Sequence, residues 1–201
     1  MDKKFENELA ARMKSDSFLL KGIIQNRLKR FLEQEKERPV KRIIGLEQKR
    51  TNAMNLGRYV LNFNYTVDRI DELEDSTILI IDYKTGGADI MPRNFKSLKN
   101  MDEARESIKE NIKSFQLPIY YYFISREFPG KNLNAETYNL RTLERKPFIS
   151  EADYPQREEL IGVCLKSLEV VLGELFNPDV SFLSEKEERK CQNCPFSGLC
   201  F

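Results

Sequence analysis

Residues 67–87 constrain the fold of this chain more than any other segment. Residues 77–81 form a short apolar run rich in β-branched side chains, which is typical of a fully buried strand. The polar segment before it, residues 72–76, is short enough for a hairpin connection. Because residues i and i+2 of a strand share a face, Asp82 and Lys84 should point the same way at the end of this strand.

A second predicted strand, residues 59–68, brings another carboxylate to the same place. Every odd position in it is apolar, and Asp68 lies on its polar face, as expected for a half-buried strand. A hairpin with the following strand would set Asp68 beside Asp82 and Lys84. Acids and amines buried together are costly to desolvate unless they pair with each other or with a metal. The strand end is therefore predicted to hold either a plain ion pair or a site of chemistry.

The rest of the chain is predicted to surround this hairpin as one α/β domain, because 201 residues can bury one substantial core. We expect a single domain over residues 1–201, with N-terminal helices at about 5–37, a core carrying the candidate residues at about 40–145, and a C-terminal helix and cysteine tail at about 155–201. Periodicity and breaker residues predict further helices at 102–113, from 114 onwards and at 156–176, and further strands at 40–47 and 135–143.

Two helices carry residues of interest. Gln116 and Tyr120 are i and i+4 on the helix that starts after Ser114, so they share one face. The helix at 156–176 has one apolar stripe, which contains Cys164 and indicates a buried structural thiol.

Composition excludes several functional classes. The chain contains no histidine, which rules out Ser-His-Asp triads, histidine acid–base catalysis and histidine metal ligands. Lys plus Arg (33) nearly equals Asp plus Glu (32), so any basic surface must be local. There is no apolar run of membrane-spanning length and no signal-peptide pattern, and we therefore expect a cytoplasmic protein without a membrane partner.

Three of the four cysteines, Cys191, Cys194 and Cys200, lie within the last eleven residues. In a reducing compartment such clustering favours a metal or cluster site over disulfides. Free thiols and a structural zinc site remain as alternatives, and zinc would also require a fourth ligand.

The order of these motifs resembles that of the PD-(D/E)XK nuclease superfamily. The motifs are an aspartate at one strand end, Asp-x-Lys at the end of the next strand, and Gln-x-x-x-Tyr on a following helix. The local sequence is most similar to the RecB/AddB-like branch, which includes CRISPR-associated exonucleases. This similarity lies around Asp68, Asp82-Tyr83-Lys84 and Gln116. This resemblance implies a restriction-endonuclease-like α/β core, with a mixed central sheet flanked by helices. It further implies a Mg²⁺- or Mn²⁺-dependent deoxyribonuclease, an exonuclease acting on single-stranded ends in DNA repair or recombination, with a helicase-like region or subunit as partner.

The resemblance also assigns roles to the candidate residues. Asp68, Asp82 and the carbonyl of Tyr83 would be metal ligands, since carboxylates from adjacent strands can hold Mg²⁺ and leave positions open to water and phosphate. Lys84 would orient or activate the attacking water and stabilise developing charge. Gln116 and Tyr120 would position the lysine, the water or the DNA backbone, and Glu47 is a weaker outer candidate.

Two departures from the family pattern bear on activity. The family commonly carries a metal-binding histidine on its first helix, whereas this chain has Gln25 and Asn26 in that region. The terminal cysteines resemble a [4Fe–4S] staple, which takes four thiolates, but no cysteine precedes Cys164. We therefore expect a C-terminal part of a longer protein that supplies the fourth ligand. A catalytically weakened DNA-binding or scaffold module of the same fold is the alternative to a nuclease.

Overall fold

A five-stranded mixed sheet is the centre of the part of the chain that the computed structural model describes, namely residues 17–86, 95–181, 191, 192, 194, 195 and 197. The strands follow chain order across the sheet: β1 (Val40–Leu56), β2 (Tyr59–Leu73), β3 (Ile78–Lys84), β4 (Leu133–Asn139) and β5 (Arg145–Pro147). Neighbours are antiparallel except β3 and β4, which are parallel. This arrangement confirms the predicted restriction-endonuclease-like α/β fold.

Helices cover both faces of the sheet. The described helices are α1 (Ser17–Lys36), α2 (Phe95–Lys99), α3 (Arg105–Asn111), α4 (Gln116–Glu127) and α5 (Arg157–Leu175), with a 3₁₀ turn at Glu151–Gln156. Because β3 and β4 are parallel, the chain between them must cross over the sheet, and α2, α3 and α4 lie in this crossover. None of the described helices combines the length and the apolar composition needed to cross a membrane.

The side chains of β3 alternate between two apolar clusters. Ile78 and Ile80 pack in the larger cluster, to which α4 and α5 contribute. Leu79 and Ile81 pack on the opposite face, where Phe31 of α1 joins them. All four β3 side chains are buried, and each contributes roughly 1.5–3 kcal/mol of burial energy. The continuous apolar run at 77–81 thus reflects a strand covered on both sides.

The predicted hairpin of β2 and β3 is confirmed, but β2 is longer than expected. β2 continues to Leu73, so the connection is shorter than the predicted loop at 72–76. The strand predicted at 40–47 is confirmed, but β1 continues to Leu56, so only its predicted end was wrong. The extension is mostly polar, although Met54 and Leu56 at its end are buried. It pairs with β2 in an unbroken antiparallel ladder from Gln48 onwards, and such pairing leaves little trace in hydrophobic periodicity.

The helix predictions hold with smaller corrections. The helix expected at 102–113 is limited to α3, and the part of the first predicted helix before residue 17 lies outside the described residues. The hydroxyl of Ser114 accepts a hydrogen bond from the backbone N–H of Gln116 at 3.1 Å, as expected near a helix start. In α5, Leu160, Cys164 and Leu168 of the predicted apolar stripe are buried, whereas Val171 is half-buried and Leu175, at the end of the stripe, is exposed. The predicted strand at 135–143 ends at residue 139, and α2 and β5 were not predicted.

Candidate active site

The end of β3 presents Asp82 and Lys84 on the face covered by α4. Asp82 is 2% exposed, and its Oδ2 lies 2.6 Å from the Lys84 ammonium. The lysine side chain is 29% exposed and so reaches towards solvent. The period-2 prediction that this acid and amine lie together is confirmed. The intervening Tyr83 points to the opposite face, where it packs near Leu79 and Ile81.

Asp68 is fixed to the same strand end through the backbone. The N–H of Tyr83 donates a hydrogen bond to Asp68 Oδ2 at 2.8 Å. An irregularity in the facing strand β1 affects the direction of the Asp68 side chain. Glu47 has a φ of 48°. It lies opposite Asp68, because the flanking residues pair as Leu46 with Arg69 and Gln48 with Val67.

Such left-handed backbone costs on the order of 1 kcal/mol in a residue other than glycine. Val67 and Ile70 both pack in the larger core cluster, although strict alternation would put residues three apart on opposite faces. The facing direction therefore changes between them, and local irregularities of this kind re-aim side chains near functional sites. The Glu47 side chain itself is exposed, and its role as an outer contributor stays a prediction.

Gln116 links the acid, the lysine and the tyrosine. Its amide nitrogen donates to Asp82 Oδ1 at 2.9 Å and lies 3.0 Å from the Tyr120 hydroxyl, while its oxygen accepts from Lys84 Nζ at 3.1 Å. The Tyr120 hydroxyl donates onward to the carbonyl of Thr66 at 2.8 Å. The reverse amide orientation would set NH₂ against the ammonium and oxygen against the carboxylate, so the network determines how Gln116 points. The predicted pair on α4 thus meets the residues of β3.

Burial makes the charged form of Asp82 expensive. It raises the pKa of the carboxyl above its ordinary value; Lys84 and the hydrogen bond from Gln116 oppose this rise, and the negative charge of Asp68 adds to it. The pKa of the Tyr120 hydroxyl is also raised, first by burial and then by the charges of Asp82 and Asp68, against the Gln116 hydrogen bond. Two carboxylates therefore repel each other here in a poorly solvated place.

The donor set suits a hard divalent cation. Asp82 Oδ2 is buried and has no hydrogen-bond partner of acceptable geometry among the described residues; its close contact is the ion pair with Lys84. Within the same described part of the chain, no group of three or more Asp, Glu, Cys or His side chains could share an ion. Mg²⁺ commonly binds through only one or two carboxylates and completes its shell with water and phosphate oxygens. Asp68 and Asp82 thus fit such an ion.

A family model described as the PD-(D/E)XK nuclease superfamily matches residues 2–201. The chain belongs to this superfamily. Membership implies a metal-dependent nuclease, in agreement with the paired carboxylates and the lysine. Among curated proteins no match was found. A solved structure titled "Crystal structure of SSO0001" is similar over 99% of this chain and 77% of its own, with 14% identity and a TM-score of 0.40.

Gln25 and Asn26, in the region of the family's helix histidine, do not join this candidate site. Gln25 lines a surface hollow with Leu28, Lys29 and Leu32 that includes neither candidate carboxylate, and Asn26 is exposed. Neither is therefore supported as a substitute for the helix histidine.

The terminal cysteines are only partly described. Cys191 and Cys194 are half-buried and not joined by a disulfide, and the N–H of Cys194 donates to the carbonyl of Cys191 at 3.1 Å. Cys200 lies outside the described residues, so the cluster ligands stay a prediction. Cys164 is fully buried in α5, and burial raises the pKa of its thiol to about 12. This agrees with the structural role predicted for it.

A buried charged network behind β3 was missed at the level of sequence. Arg69 donates to Asp71 at 2.7 Å, to Glu35 of α1 at 2.5 Å and to the Tyr83 hydroxyl at 3.3 Å. It therefore holds the residue that lies between Asp82 and Lys84. The available signal was four charged residues among positions 68–72, near the end of a strand in which only every second residue is apolar, since charges are rarely buried without partners.

Proposed function

We propose that this chain is a RecB/AddB-like nuclease domain that hydrolyses DNA phosphodiester bonds with Mg²⁺ or Mn²⁺, acting as an exonuclease on single-stranded ends in DNA repair or recombination. We further propose that residues 1–201 form one domain of a longer protein with a helicase-like region or subunit. The observation that carries the nuclease proposal is the Gln116 amide, which joins Asp82 and Lys84 at 2.9 and 3.1 Å.

We assign the residues the roles that the family resemblance implies, and these contacts support the assignment. A divalent ion held by Asp68, Asp82 and the carbonyl of Tyr83 would polarise the phosphate and lower the pKa of the attacking water. The partly exposed Lys84 ammonium would orient that water and stabilise charge on the phosphoryl oxygens. Gln116 would keep the Lys84 ammonium and the Asp82 carboxylate in fixed relative positions through its hydrogen bonds to both. Tyr120 would link Gln116 to the β2 backbone.

A DNA-binding or scaffold module of the same fold is the second candidate. It is favoured by the small donor set, because the described residues offer two carboxylates and no third acidic, cysteine or histidine ligand. It is opposed by the energetic cost of Asp82, whose pKa is raised by burial. A scaffold gains nothing from a carboxylate that is costly to ionise, whereas a metal site does.

One assay separates the two candidates. Labelled single- and double-stranded DNA would be incubated with Mg²⁺ or Mn²⁺ and the wild type, Asp82→Ala, Lys84→Ala, or the control Asp179→Asn, which alters an exposed acid. We expect Asp82→Ala and Lys84→Ala to lose at least about 100-fold in rate and Asp179→Asn to match the wild type. Equal cleavage by all four proteins would reject the proposed site, and DNA binding without cleavage by the wild type would favour the module. End-labelled substrates would also report digestion from one end against internal cutting.

We also propose that Cys191, Cys194 and Cys200 hold a [4Fe–4S] cluster together with a fourth ligand outside this chain. Cys191 and Cys194 are both half-buried, which leaves their thiols close to the surface, where a ligand from outside this chain could join them. Anaerobic purification of the full-length protein should give a brown product with iron–sulfur absorbance that Cys194→Ser abolishes. A colourless product containing zinc would indicate a structural zinc site, and one without metal would contradict any metal role.

A further inference from the structure

A cleft of about 520 Å³ lies between helix α1 and the end of β3, on the side of the sheet away from Gln116. Its floor is apolar and aromatic: Ile24, Leu28 and Phe31 from α1, and Tyr83 from β3. The Phe31 and Tyr83 rings meet edge to face, with centroids 6.0 Å apart. The cleft is therefore a partly aromatic surface large enough for a small planar group.

Cations border this apolar floor. Arg27 and Arg141 line the cleft and are exposed, and neither guanidinium has a hydrogen bond or ion pair with any residue in the described part of the chain. Arg69 also lines the cleft, but Asp71 and Glu35 neutralise it. Guanidinium groups bind phosphates bidentately. An apolar floor between two unpaired arginines complements a nucleotide, which has a planar base and a charged backbone.

The cleft is next to the candidate active site along the chain. Tyr83 faces the cleft while its neighbours Asp82 and Lys84 face α4, and Thr85 continues the cleft lining beyond the strand. Successive Cα atoms lie about 3.8 Å apart, so only the thickness of one strand separates the two surfaces. The short separation suits a polynucleotide that has one phosphate at the carboxylates and a flanking nucleotide in the cleft.

We propose that this cleft binds an unpaired nucleotide of a single-stranded DNA substrate, with its base on the floor formed by Phe31 and Tyr83 and its backbone phosphates at Arg27 and Arg141. The inference rests on the proposed nuclease function and adds to it a reason for single-strand preference. A base inside a duplex is paired and stacked, so it cannot enter the cleft without paying the cost of leaving the helix. Unpaired bases stack readily on aromatic side chains whatever their identity.

Binding can be measured without hydrolysis, which keeps this test independent of catalysis. The full chain in EDTA would be titrated with a labelled oligothymidylate of about 12 nucleotides, and the dissociation constant followed by fluorescence anisotropy. The test variants are Arg27→Gln and Arg141→Gln. The matched control is Arg30→Gln, an exposed arginine on the same helix that does not line the cleft.

Counterion release sets the expected size of the effect. Each phosphate contact with a single strand contributes a slope of about −0.7 in log K against log salt, so losing one contact weakens binding about fivefold at roughly 0.1 M salt. We expect each test variant to bind about fivefold more weakly with its slope reduced by about 0.7, and Arg30→Gln to bind as the wild type does. If Arg27→Gln and Arg141→Gln bind the oligothymidylate as tightly as Arg30→Gln and the wild type do, the proposal is overturned.

Changing the ligand tests the base without disturbing the fold. An abasic oligonucleotide of the same length retains the phosphates, and we expect it to bind at least about fivefold more weakly, the lower bound for one stacked base. A duplex of the same length should compete poorly. If the abasic strand or the duplex binds as well as oligothymidylate, the cleft does not take a base. Loss of cleavage in Asp82→Ala with unchanged oligothymidylate binding would support the nuclease proposal alone, whereas weaker binding by Arg27→Gln and Arg141→Gln would support the cleft.

Discussion

Asp71 holds the buried network behind β3, and its removal should cost more stability than any surface charge. The carboxylate is 0% exposed; Arg69 Nε lies 2.7 Å from one oxygen and Arg38 Nη2 lies 2.9 Å from the other. Removing one partner of a buried ion pair costs about 3–5 kcal/mol, because the remaining charge stays uncompensated. Glu35 still contacts both arginines, at 2.5 and 3.1 Å, so the lower end, about 3 kcal/mol, applies to Asp71→Asn.

The free energy of unfolding from urea titration would test this value. For a domain of this size 1 kcal/mol corresponds to roughly 2–4 °C in Tm, so Asp71→Asn should melt about 6–12 °C lower. The control is Glu144→Gln, which removes an exposed acid 3.9 Å from Lys146 and should change the free energy of unfolding by less than about 1 kcal/mol. A loss below about 1 kcal/mol in Asp71→Asn would refute the view that buried, mutually paired charges hold this face together.

Two further predictions concern single side chains on the other face of the sheet. Gln116→Met keeps the size of the side chain but removes its contacts with Asp82 and Lys84. We expect it to lower the DNA cleavage rate about 10- to 100-fold without lowering Tm by more than a few degrees. A cleavage rate equal to that of the wild type would contradict the positioning role of Gln116. Burial raises the Cys164 thiol pKa to about 12 from 9.0, so this thiol should resist alkylation near pH 8 until the protein is unfolded in guanidinium chloride. Because the folded state holds this proton more tightly, stability should fall as pH rises from 9 towards 12, and rapid native labelling of Cys164 would disprove its burial.

The sequence was sufficient to predict which side chains meet at the end of β3, because that prediction depends on local periodicity. Alternation along a strand requires Asp82 and Lys84 to share a face, and a hairpin requires Asp68 to come close to them. Helical spacing likewise put Gln116 and Tyr120 on one face of α4. These rules need no knowledge of distant parts of the chain.

What could not be predicted depends on partners far away in sequence. One buried ion-pair group joins Arg38, which follows α1, to Asp71 of β2 and Glu136 of β4. No periodic pattern in the sequence connects these three positions. The extension of β1 to Leu56 is similar, because its polar residues are held by the ladder to β2 rather than by burial. The short strand β5 has only three residues, too few to give a period. Long-range pairing overrides weak local preference in each case.

The two faces of β3 differ in how fully their buried charges are compensated. On one face Tyr83 is held by Arg69 and packs with Phe31 and Tyr138, which fixes the backbone of the strand end. On the other face Asp82 remains costly to ionise, and its raised pKa shows that Lys84 and Gln116 do not fully offset its burial. A carboxylate in that condition gains from a cation, because metal binding supplies the compensation that the protein leaves incomplete. We therefore expect the buried network behind the strand to offset part of the cost of the unfavourable site in front of it.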